Sequence, residues 1–235
     1  MSASHVVAMG GGQWPDDPIY RFIFDLTGAA RPKILFVPTA AGDADRAVAS
    51  FYRSFPSHSC EPSDLALFHR TVEDLRAFVL THDVVIVGGG NTVNLLAVWR
   101  AHGLDEILRE AWDAGVVLAG GSAGANCWFE ASTTDSFLLG RADPLADGLG
   151  LVPGSFCPHF DSEPARRPSY HRLVGEGALP PGIACDDLAA VHVVDGEVAD
   201  VLASHEAAGA RRVEPGEHGV VETPLEPTML GVTSS

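Results

Sequence analysis

The sequence predicts an α/β protein: a doubly wound, mostly parallel sheet finished by a C-terminal β-hairpin. Three observations predict it. Short, continuous apolar runs alternate with helix-length segments from residue 5 to about residue 130, the rhythm of βαβ units. Several of those runs end in small residues, at 10–12 (GGG), 88–91 (GGGN) and 120–124 (GGSAG), where an open parallel sheet presents ligand-binding turns. Later, Asp195-Gly196 separates two apolar runs, the dipeptide of a tight hairpin.

The elements follow in order. Residues 5–9 form a first strand, stopped by the glycine run. Residues 18–26 form a helix, with Asp17 placed as N-cap and Gly28 near its end. Residues 33–37 are a buried strand that Pro38 ends. Residues 44–55 are an amphipathic helix whose one face carries Ala47, Val48, Phe51, Tyr52 and Phe55. A third strand is expected at 65–68, a helix at 72–80 and a fourth strand at 83–87. A helix at 92–100 would cover the sheet with Val93, Leu96, Ala97 and Arg100, and another follows at 104–114. Residues 116–119 make the fifth strand and 123–129 the next helix. Beyond that the rhythm changes: 138–153 reads as a long loop and 165–175 as a short Arg-bearing helix. Residues 182–187 read as the turn into the hairpin strands 189–194 and 197–202. The acidic tail from Glu206 holds one or two edge strands. There is no repeat, low-complexity tract or linker, so residues 1–235 read as a single domain.

Composition narrows the function. A net charge of −16, with Lys33 as the only lysine, argues against nucleic acid and anionic membranes as partners. Cys60, Cys127, Cys157 and Cys185 are scattered without a Cys-x-x-Cys pair, and read as buried, reduced thiols of a cytoplasmic protein. No signal peptide or membrane span is expected. The run at 10–12 lacks the Gly-x-Gly-x-x-Gly spacing of a dinucleotide site. Neither a His-Glu-x-x-His motif nor a Cys/His quartet occurs, so no cofactor and no metal is expected.

The chemistry centres on Gly-x-Ser-x-Gly at 120–124, between an apolar strand and a helix. A serine on such a corner is thrust above the sheet edge, and the following N–H can join an oxyanion hole. The alternative is an ordinary glycine-rich turn, or one that grips a phosphate at a helix N-terminus. Ser122 is the candidate nucleophile, with Gly89, Gly90 and Ala123 as oxyanion donors. A serine hydroxyl needs a base, and the base an orienting acid. Among the ten histidines, His159 lies after the nucleophile between Pro158 and Phe160, with His171 and His192 as competitors. For the acid, Asp186, Asp187 and Asp135 stay open on spacing alone. Arg166, Arg167 and Arg172 form a basic cluster that can hold a substrate carboxylate. Arg166, Arg167 and Asn91 are taken as substrate-binding candidates.

Together VVIVGGGNT (84–92), GGSAGAN (120–126), PHF (158–160) and GIACDD (182–187), with ILFVPTAAGD (34–43) upstream, resemble the peptidase E or aspartyl dipeptidase family, to which cyanophycinase is related. The resemblance covers nearly the whole chain. It implies a class I glutamine amidotransferase-like fold and a metal-free serine exopeptidase acting on dipeptides with an N-terminal aspartate. It matches Ser122 to the nucleophile, His159 to the base, and Gly89 or Gly90 with Ala123 to the oxyanion donors. It favours Asp187 as the acid, although members often carry glutamate there. Gly121 stands where some relatives have tryptophan. The expected partner is a small peptide, with a homodimer allowed. The alternatives are a cyanophycinase-type hydrolase of β-aspartyl-arginine and a non-catalytic ligand-binding protein on the same fold.

Overall fold

The computed structural model describes residues 3–12 and 18–231. The N-cap expected at Asp17 lies outside them. In chain order the strands of the first half are β1 (His5–Met9), β2 (Lys33–Val37), β3 (Glu61–Asp64), β4 (Val84–Val87) and β5 (Val117–Gly121). The second half adds β6 (Phe129–Thr134), β7 (Asp143–Leu145), β8 (Val152–Cys157), β9 (Gly182–Cys185), β10 (Ala189–Val194), β11 (Glu197–Ala203), β12 (Ala210–Gly216), β13 (Gly219–Leu225) and β14 (Pro227–Met229). The helices are α1 (Pro18–Asp25), α2 (Asp45–Ser54), α3 (Leu75–Val79), α4 (Thr92–His102), α5 (Leu104–Asp113), α6 (Ala123–Asn126) and α7 (Arg166–Gly175).

The strands make two sheets. The larger has the order β14-β11-β10-β1-β5-β4-β2-β3, parallel from β1 to β3 and antiparallel across β1-β10-β11. The smaller has the order β13-β12-β9-β8-β6-β7. The pleat explains the apolar runs: Val6 and Ala8 enter one core while Val7 and Met9 enter the other. Helices α1 and α2 cover the second face through Ile19, Ile23 and Phe51; α3, α4 and α5 cover the first. The first core also takes Phe129, Phe156 and Ile183 from the smaller sheet, so one apolar cluster runs between the two sheets.

The sequence expectation is corrected in several places. The third strand is 61–64, not 65–68. It pairs with β2 alone, so backbone hydrogen bonds define an edge strand whose side chains carry little apolar signal. Leu65 and Leu67 are buried just past its end, where Asp43 accepts the N–H groups of Leu67 and Phe68. The core face of α4 is Thr92, Leu95, Leu96 and Trp99. Ala97 and Arg100 point outward, because the Trp99 indole reaches under the helix to Thr39 and Arg100 pairs with Asp147. Tyr52 of α2 is 41% exposed. Helix α6 ends at Asn126, β6 starts at the expected helix end and runs through a stretch assigned no element, and the segment read as a long loop contains β7 and the start of β8. Residues 182–185 are a strand, not a turn, and the tail contributes β12, β13 and β14 rather than one or two strands.

Candidate active site

Ser122 follows β5 with φ 56° and ψ −118°, outside the regions an L-residue prefers. The flanking glycines explain how the corner closes. A Cβ on Gly124 would stand 2.2 Å from the Val87 carbonyl oxygen, and one on Gly120 would stand 2.3 Å from that of Gly124. The motif therefore lets α6 lie directly on β4 and β5. Of the five non-glycine residues with positive φ among the described residues, three are Ser122, His159 (52°) and Leu188 (62°), the neighbour of Asp187. Such strain persists where the surroundings over-determine it and clusters at functional sites.

The surroundings here are the chain leaving β1. Three successive carbonyls take three N–H groups: Met9 from Ser122 (3.2 Å), Gly10 from His159 (3.3 Å) and Gly11 from Leu188 (2.9 Å). The segments bearing the candidate nucleophile, base and acid are thus hung side by side on one strand end. Gly11 has no room for a side chain, since a Cβ would meet Asp187 Oδ1 at 2.0 Å and the His159 ring at 2.8 Å. Neither the carbonyl ladder nor Gly11 was singled out from sequence; the glycine run at 10–12 was the available signal.

His159 Nδ1 lies 2.7 Å from Asp187 Oδ1. With Nδ1 protonated and donating, Nε2 is left as the basic nitrogen. Asp187 N–H in turn donates to Asp161 Oδ1 (2.9 Å), tying the acid to the loop that holds the base. Among the described residues Ser122 Oγ makes no hydrogen bond. Bonds of this kind commonly tighten only in the substrate complex. The N–H groups of Gly89 and Gly90 meet no acceptor among the described residues, and that of Ala123, in the first turn of α6, has none within the helix. A Cβ on Gly89 would stand 3.9 Å from Ser122 Oγ, so this turn borders the hydroxyl.

The other candidates fall elsewhere. Asp186 is buried and bound by Arg211 Nη1 at 3.0 Å on both oxygens; burial pushes its carboxyl up while Arg211 pulls it down. Asp135 lies 3.8 Å from Arg166 Nη2. Of the three acids, Asp187 alone bonds His159. His171 Nε2 approaches Glu222 at 2.6 Å without hydrogen-bond alignment, and His192 stacks on His5. Asn91 caps α4 by accepting from Asn94 N–H and donates to the Ser136 carbonyl. Arg166 is buried; Nε donates to Glu163 and Nη1 to the Thr133 carbonyl, and its edge lines a cleft of about 260 Å³ with Asp135, Leu139 and Pro164. One wall of that cleft is tied to the site, since Glu163 N–H donates to the His159 carbonyl. Arg167 forms a two-bond pair with Glu222, and Arg172 pairs with Glu176 on the surface.

All four cysteines are free and buried. Burial raises each thiol, Cys157 to about 12, so all four stay protonated near neutral pH. Among the described residues no group of three or more His, Cys, Asp or Glu side chains is placed to hold a metal ion, and no helix is long and apolar enough to cross a membrane.

Residues 6–201 match the sequence profile of peptidase family S51. A Bacillus subtilis protein named as the uncharacterized peptidase YgaJ is 45% identical over 232 residues, covering 96% of this chain and 99% of that one. Peptidase E of Citrobacter koseri is 41% identical over 93 residues, 38% of this chain and 39% of that one. The crystal structure of a peptidase from an acI-B1 actinobacterium superposes with a TM-score of 0.65 at 19% identity, covering 96% and 95% of the two chains; at that identity the likeness shows the fold.

Proposed function

The chain belongs to peptidase family S51, and from that premise we propose that it is a serine exopeptidase that releases an N-terminal aspartate from dipeptides. The observation that carries the serine mechanism is the His159–Asp187 bond, hung on the same strand end as a strained Ser122. His159 Nε2 takes the Ser122 Oγ proton as the oxygen attacks the scissile carbonyl. The oxyanion of the tetrahedral intermediate is met by N–H groups of Gly89 or Gly90 and Ala123. His159 then delivers the proton to the departing amine, and water hydrolyses the acyl-enzyme by the same relay in reverse. Asp187 holds the imidazole in the tautomer this needs.

Preference for aspartate rests on the motif resemblance and on the buried cation at the cleft. Arg166 keeps Nη2 without a hydrogen-bond partner among the described residues and is assigned to the aspartyl carboxylate. The test is Asp-Leu hydrolysis by wild type and Ser122→Ala, with circular dichroism as the folding control. A loss of roughly 10⁴-fold or more is expected, in line with removal of a triad member. Wild-type turnover by the variant, or Asp-Leu cleaved no faster than Ala-Leu, would overturn the serine mechanism or the specificity respectively.

A further inference from the structure

We infer that the hairpin β12–β13, through Arg211 and Glu222, is a positioning device for the base and the acid. The inference rests on the Ser122–His159–Asp187 reading and extends it to a segment beyond residues 6–201, where the family profile matches.

Arg211 and Glu222 share one face of the hairpin, because Glu222 pairs with Val213 and Arg211 with Pro224 in the antiparallel register. Val213 between them is buried against Phe160, Tyr170 and Leu173, so that face looks onto the segment bearing His159. Phe160 follows His159 directly. Its N–H donates to the Cys185 carbonyl (3.1 Å), and its ring is covered by Arg167 at 4.9 Å and Arg211 at 5.8 Å. Glu222 holds both cations: Arg167 donates Nε at 2.7 Å and Nη2 at 2.6 Å, and Arg211 Nε lies at 3.6 Å.

The same arginine grips the acid's neighbour. Arg211 Nη1 donates to both oxygens of Asp186. Gly209 N–H donates to Asp186 Oδ2 (3.2 Å), and Asp186 N–H returns a bond to the Gly209 carbonyl (2.9 Å). Asp186 is therefore fixed by side chain and backbone one residue before Asp187. Glu222 thus reaches the base through Arg167 and Phe160, and the acid through Arg211 and Asp186. Of two strained backbone positions, His159 is next to Phe160 and Leu188 is two residues past Asp186. Loosening the clamp should let the imidazole and carboxylate drift apart without touching substrate.

The experiment uses the full chain. In wild type, ¹⁵N-histidine NMR should show a low-field Nδ1 proton for His159, absent in His159→Gln. In Glu222→Gln that resonance should broaden or move upfield. The kcat for Asp-Leu should fall about 10-fold or more with KM within about twofold, as expected when a catalytic group is misplaced while substrate binding is intact. Arg211→Lys keeps the charge but cannot reach both carboxylates, and should lie between. Arg76→Gln, which breaks a surface pair with Glu110, should match wild type. Wild-type resonance and kcat in both clamp variants would overturn the inference, as would a kcat loss that only tracks the unfolded fraction in a thermal melt. A wild type that turns over no peptide would sink the catalytic reading alone, since the His159 resonance still decides whether the hairpin positions the base.

Discussion

Asp186 and Asp187 are adjacent in sequence but do opposite work, because consecutive side chains leaving β9 point to opposite sides. Asp187 faces the imidazole at 2.7 Å, whereas Asp186 turns into the protein toward Arg211. The two isosteric amides therefore differ in which property they change most. Asp187→Asn should lower kcat for Asp-Leu by about 10³–10⁴-fold with little change in unfolding free energy, since the amide can no longer fix the catalytic tautomer. Asp186→Asn should cost on the order of 1–3 kcal/mol of stability, because Arg211 loses the nearer of its two carboxylate partners at a buried site, and should lower kcat only by the roughly 10-fold of a loosened clamp; urea denaturation and steady-state kinetics read the two. Gly11→Ala places a methyl against both members of the His159–Asp187 pair and should abolish activity while Ser122 remains on its turn. Ser122 and His159 could be singled out as candidates because each sits in a short, unusual run of residues. Spacing alone left Asp135, Asp186 and Asp187 open, since it cannot say which of them faces the imidazole; only the motif resemblance favoured Asp187. Arg211 and Glu222 carry no motif at all; their role comes from a hairpin folding back over residues about 50 positions earlier.

At the scale of elements, Gly124 sets how closely α6 approaches β4. Gly124→Ala should shift the urea midpoint by an amount worth about 1–3 kcal/mol, the usual cost of overpacking, since its Cβ would collide with backbone rather than with a side chain that can turn away. Loss of activity should accompany it, because α6 carries the Ala123 N–H. The larger sheet was readable because β1, β2, β4 and β5 are buried on both faces, which makes each a continuous apolar run. The smaller sheet was not. Its strand β6 buries Ser132, Thr133 and Thr134, polar residues that give no hydrophobic signal; Thr134 Oγ1 bonds Thr92 Oγ1 and Ser136 Oγ, and the Thr133 carbonyl accepts from Asn126. Strand β9 of the same sheet was short enough to pass for a turn. Asn126, the last residue of GGSAGAN, ties α6 to the smaller sheet and to α4 by donating to the Thr133 carbonyl and to Thr92 Oγ1, a role its sequence position did not disclose.

For the molecule as a whole, the acid side of the pH range is where stability should fail first, and the cause lies at the far end of the strand that organises the site. His192 on β10 is buried against His5 on β1, with Nε2 3.0 Å from His5 Nδ1 and the Phe22 ring edge-on to it. Burial, and then the neighbouring His5, lower its pKa to about 4, with Asp200 opposing across the β10–β11 pair. The unfolded chain binds this proton near pH 6.5, whereas the folded chain resists until about pH 4. The histidine is therefore neutral and harmless to the fold above about pH 6.5; stability drains away as pH falls from there to about 4, by on the order of 3 kcal/mol. The window separates this effect from Glu222, whose carboxyl is held below its usual range by Arg167 and loses its contribution only at lower pH. Urea unfolding at pH 7, 5.5 and 4 should show the decline in wild type and a much flatter profile in His192→Gln. Equal slopes in the two proteins would mean that the His5–His192 contact opens to water without cost, and that acid sensitivity in a chain of net charge −16 belongs to its carboxylates instead.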